Sequence, residues 1–116
     1  MATGTEETMI ERGSDNVYAD LGFPDAEEML AKAKLVTAIS KTIKERALTQ
    51  HAAAKIMGID QPKVSQLLKG QFRGYSSDRL MHFLTLLGQD VIIMIVPHTP
   101  DEQQHGHVSI TMSQGL

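Results

Sequence analysis

Cysteine is absent from the 116 residues, which excludes disulfides, thiolate metal sites and a cysteine nucleophile. No run of 18 apolar residues occurs, so no segment is expected to span a membrane. The first 20 residues carry Glu6, Glu7, Glu11, Asp15 and Asp20 and no apolar stretch, the opposite of a secretory signal, and a cytoplasmic location is expected. No serine, histidine and carboxylate set stands in motif context and no glycine-rich phosphate loop is present, so neither an enzyme nor a cofactor is expected. His98, His105 and His107 sit in or beside a polar stretch with only distant carboxylates, and no metal site is expected from them. What remains is 41% apolar and 22% charged, an ordinary globular composition at a one-domain length.

The net charge of −3 conceals a segregation. Residues 1–31 hold eight acids against Arg12 alone, whereas residues 32–79 hold ten basic residues against Glu45, Asp60 and Asp78. A basic centre between acidic ends suits either a polyanion-facing surface or simply solvated helix faces.

Residues 1–20 are small, polar and acidic and read as a flexible tail, with a folded region over 21–88 and a terminal element over 89–116. Pro24 with Asp25, Glu27 and Glu28 opens a long helix. In it Ala26, Met29, Leu30, Ala33, Val36, Ile39 and Ile43 recur at helical spacing, with Lys32, Lys34, Lys41 and Lys44 facing away. Thr49 caps a short alanine-rich helix over 50–57 that Gly58 ends; Asp60 caps the next, from about Gln61 to Lys69. Ser76 or Ser77 caps a last helix striped by Leu80, Phe83, Leu84 and Leu87. Phe72 and Tyr75 are suited to sealing the loop before it, more than to stacking on a ligand. The methionines at core spacing, Met29, Met57, Met81 and Met94, read as gap-fillers. The period then changes: residues 91–96 are an apolar, β-branched run closed by Pro97, and residues 108–112 alternate. The expected fold is mainly α, four helices followed by a C-terminal β-hairpin or strand pair.

Two short helices joined by Gly58-Ile59-Asp60 are the outline of a helix-turn-helix. Its slots are filled in order: small Ala54 where the helices cross, Gly58 where the turn requires positive φ, Ile59 as the plug of the turn, and Val64, Leu67 and Leu68 on the inner face of the second helix. Residues 50–70 (QHAAAKIMGIDQPKVSQLLKG) resemble the DNA-reading segment of the lambda-repressor-like, or XRE-type, helix-turn-helix family, a resemblance covering about residues 32–88. With YADLGFPD from Tyr18, DQPKVS from Asp60 and GQDV from Gly88, the chain is also similar to small XRE proteins of the HigA antitoxin type, often paired with a RelE-like ribonuclease toxin.

The resemblance implies double-stranded DNA as the partner. Rotation of about 100° per residue puts Ser65, Lys69, Pro62 and Gln66 opposite the buried arc of the second helix, with Gln61 and Lys63 at the edges. Recognition helices present their N-terminal residues to base edges, which selects Gln61, Pro62, Ser65 and Gln66 as base contacts. Lys55, Lys63, Lys69 and Arg73 suit phosphates, which position the protein without specifying sequence. The family resemblance implies that Gln50 supports Gln61 while also touching phosphate. In residues 91–96 both faces are apolar, and little else in the chain could cover the face of Ile92, Met94 and Val96; these are expected to form a homodimer interface. The reading is a dimeric DNA-binding regulator, acting as a repressor. Two alternatives stay open: an antitoxin that neutralises a cognate toxin protein and represses its own promoter, and an interaction adaptor whose helix-turn-helix is only scaffold.

Overall fold

The computed structural model describes residues 16–22, 24–100 and 106–113. The chain divides into two compact units, Met1–Leu30 and Ala31–Leu116. Among the described residues there are five helices: α1 (Val17–Asp20), α2 (Ala26–Glu45), α3 (Gln50–Met57), α4 (Gln61–Leu68) and α5 (Ser77–Leu86).

In the first unit, residues that composition assigns to a tail make the single turn α1. Asn16 explains it: its side-chain oxygen accepts from the amides of Tyr18 and Ala19, and its Nδ2 donates to the Ala26 carbonyl at 3.1 Å. Residues 1–15 lie outside the described residues.

In the second unit the core is aliphatic apart from Phe72 and Phe83. Ile39, Ala53, Val64, Leu67 and Leu80 are completely buried, joined by Leu35, Val36, Ile43, Met57, Leu84 and Leu87. α3 packs against α4 and α5. The caps follow side-chain chemistry: Thr49 accepts from Ala52 N at 3.0 Å and Ser76 from Arg79 N at 3.1 Å. The end of α2 is tied to the end of α5 by polar groups. Arg46 Nη1 donates to the Leu87 carbonyl at 2.8 Å, and Gln89 Nε2 donates to the Oγ1 of buried Thr42 at 3.1 Å.

Two expectations need correction. Lys32 does not face solvent; it is 8% exposed, its stem buried while Nζ donates to the Arg73 carbonyl at 3.4 Å. The expected C-terminal β-hairpin or strand pair is not present either: no strand occurs among the described residues, and residues 91–100 and 106–113 carry no regular secondary structure. A lone two-stranded ribbon is marginal in water, and among the described residues the outgoing part of this arm is left open: Ile92, Ile93, Met94, Ile95 and Val96 are all exposed.

Candidate nucleic-acid interface

The site is built around the turn between α3 and α4. Gly58 adopts φ +75°, and the amides of Gly58 and Ile59 both donate to the Ala54 carbonyl, at 2.8 and 3.1 Å. This left-handed residue closes α3 and reverses the chain within three residues, so α4 starts at Gln61 already laid across α3. Ala54 is 5% exposed, and Val64 and Leu67 are fully buried, so one face of α4 is committed to the core. Ile59 and Leu68, expected as full anchors, are only half-buried, because each sits at an end of the α4 contact.

With Val64 and Leu67 inward, the opposite face of α4 is determined. Gln61, Pro62, Lys63 and Gln66 are exposed and Ser65 is half-buried between them. Gln50 is the first residue of α3 and Gln61 the first of α4, both exposed, so the two glutamines implicated by resemblance head the two helices. Lys55 and Lys69 are exposed near the C-terminal ends of α3 and α4, and Arg73 is exposed in the loop that follows. Asp60 stands at the α4 N-cap position without a side-chain cap bond.

Sequence reasoning missed the support beneath Arg73. Buried Lys32 holds the Arg73 carbonyl, and Phe72 beside it is 4% exposed, so the loop carrying this basic residue is anchored from below on both sides. A lysine in a helix reads as solvent-facing unless the partner carbonyl, 41 residues away, is known. Tyr75 packs edge-on against Phe83 with ring centroids 5.9 Å apart, and Arg79 lies over both rings at 5.2 and 5.4 Å, so these aromatics seal the loop. His98 and His107 face each other with ring centroids 6.1 Å apart, and among the described residues no group of three or more ligand-type side chains could hold a metal ion; His105 lies outside them.

A turn-closed helix pair with one buried and one exposed polar face, flanked by lysines, defines a helix-turn-helix protein. Residues 17–96 match the model of a helix-turn-helix domain family. A solved structure assigned to the XRE family of transcriptional regulators is 39% identical, with a TM-score of 0.69, over 78% of this chain and 100% of that one. No curated protein matches the chain. The chain belongs to the XRE-type helix-turn-helix family.

Proposed function

We propose that this protein is a sequence-specific, double-stranded-DNA-binding transcriptional regulator, working in the cytoplasm as a homodimeric repressor. The observation that carries this reading is the division of α4: Val64 and Leu67 are fully buried while Gln61, Pro62 and Gln66 are exposed. Glutamine can bond adenine N6 and N7 together, and proline offers apolar contact to a thymine methyl. Lys55, Lys63, Lys69 and Arg73, with Gln50, take the phosphates. In a dimer these four cations per chain release counterions on binding, so log affinity falls against log salt with a slope of about −7. Fluorescence anisotropy on a fragment of the protein's own promoter, titrated with salt, checks this. Affinity indifferent to both salt and sequence would leave the helix-turn-helix as scaffold and favour the adaptor.

The exposed side chains of Ile92, Met94 and Val96 also support a second reading, an antitoxin in which a cognate toxin covers them. Co-expression with the product of the adjacent gene separates the two: a stable complex that loses toxicity supports the antitoxin, and no complex leaves the lone regulator.

A further inference from the structure

Among the described residues of the second unit, an apolar segment and a depression of mixed lining lack cover. The first is the arm: Ile92, Ile93, Met94, Ile95 and Val96 are 85%, 74%, 79%, 91% and 65% exposed. Five neighbouring side chains this open present a surface on the order of the ~800 Å² that each partner contributes to a stable interface. The second is the outer face of α2, where two shallow depressions share Thr37 and Lys41 and so run together along the helix. Ile110 and Met112 occupy the edge of the first. The other, walled by Val36, Ser40 and Leu68 and rimmed by Lys41 and Lys44, has no arm residue in its lining.

The two features match in length and in charge. From Val36 to Lys44 the helix face is about 12 Å long, and an extended stretch from residue 92 to 96 spans about 13 Å. Residues 91–96 carry no charge, and Asp90 directly before them is complementary to the lysine rim. The outgoing part of the arm does not fill the gap itself. Its root is pinned beside the end of the same α2 by the Arg46–Leu87 and Gln89–Thr42 bonds, yet residues 92–96 remain exposed. The returning part of the arm is held next to its outgoing part where the His98 and His107 rings meet at 6.1 Å. Ile110 and Met112 line the first depression on their own α2, whereas Ile92, Met94 and Val96 line neither depression and stay exposed.

We propose that each arm crosses to a second copy of the chain and lays Ile92, Met94 and Val96 into the depression that Val36, Ser40 and Leu68 form on that copy. This rests on the homodimer of the proposed function and specifies its geometry. Leu68 is the last residue of α4, so the arriving arm would seat against the foot of the recognition helix and couple dimerisation to its orientation.

Because the chain has no cysteine, the exchange can be trapped cleanly. Full-length Ser40→Cys and full-length Met94→Cys are prepared separately, mixed and oxidised, with circular dichroism checking that each retains its helices. The expected result is a disulfide-linked dimer on a non-reducing gel from the mixture and none from either chain alone. A Thr37→Cys and Ile92→Cys mixture repeats the measurement should one of the first pair fail to fold. Dimerisation of Met94→Cys with itself would show arm pairing with arm and overturn the exchange. A link formed only within a doubly substituted chain would show each arm on its own α2 and overturn it too. In both cases light scattering that still reports a dimer keeps the homodimer reading, whereas a wild-type monomer at micromolar concentration removes that reading as well.

Discussion

The helix-turn-helix body and the arm after it are comparably rich in aliphatic residues, yet only the body buries them. Ile39, Val64, Leu67 and Leu80 are completely enclosed, whereas Ile92 and Ile95 are 85% and 91% exposed. The difference lies in where their partners are. Each helix of the body finds its apolar counterpart a few residues away, across a turn whose chemistry is local. Residues 92–96 of the arm find none among the described residues, because a hairpin there has too few strands to stand alone. In the proposed dimer this open surface is completed by the second chain, and DNA recognition by the body is then expected to depend on it.

Removing the arm breaks the comparison most strongly. A chain ending at Gln89 keeps the Arg46–Leu87 and Gln89–Thr42 bonds, so the helices are expected to fold. If the proposed dimer holds, it loses the second recognition helix, and with it the gain of linked binding sites, about 10²- to 10⁴-fold in affinity. Light scattering should report a monomer and anisotropy a correspondingly weaker complex; undiminished affinity would show that one body suffices.

Within the body the next largest effect is Leu67→Ala. The side chain is fully buried at the α3–α4 crossing, so a loss of about 2–5 kcal/mol in unfolding free energy is expected from denaturant titration. The same substitution at Ile95 should cost the monomeric chain almost nothing, since that side chain is 91% exposed. A large loss at Ile95 under dilute conditions would mean that the arm packs on its own body after all.

On the exposed face of α4 the effects become smaller and differ in kind. Gln61→Ala should cost about 1–3 kcal/mol at the preferred operator and flatten discrimination at one base pair. Lys69→Ala should instead weaken all sequences alike and lower the salt slope by about one unit. Binding profiles that coincide for the two variants would end this division between base and phosphate contacts.

The same contrast explains what could be read from the residues alone. The limits of α3, the left-handed Gly58 and the inward Val64 and Leu67 all depend on neighbours within a turn or two, and they stand where spacing puts them. Lys32 was misjudged because its partner is the Arg73 carbonyl, distant in sequence. The turn α1 went unseen because it hangs on one asparagine bonding in two directions. The arm's period of two describes what its residues favour in a sheet, but a strand exists only when another backbone lies beside it. The base and phosphate assignments are positions on a face, and the face itself follows from the buried residues.

The smallest expected effect compares two helix ends. α3 ends on Gly58 at φ +75°, whereas α2 is followed by Ala47 at φ 54°, the one non-glycine residue with positive φ among those described. Both ends share the bond that reaches back five residues, Leu48 N to the Ile43 carbonyl and Ile59 N to the Ala54 carbonyl, while Ala47 N donates to Lys44 and Gly58 N to Ala54. The methyl group of Ala47 is therefore held in a conformation that costs an L-residue roughly 1–2 kcal/mol. Glycine would relieve this but lose more backbone entropy on folding, by about 0.5–1 kcal/mol. Ala47→Gly should thus stabilise the protein by about 0.5 kcal/mol, while Gly58→Ala should destabilise it by a similar or larger amount. No heavy atom lies within 4 Å of a Cβ built on Gly58, so the Gly58→Ala loss would come from φ alone. Thermal unfolding of the two variants should move the midpoint in opposite directions. A downward shift at Ala47→Gly would mean that the left-handed alanine carries no strain.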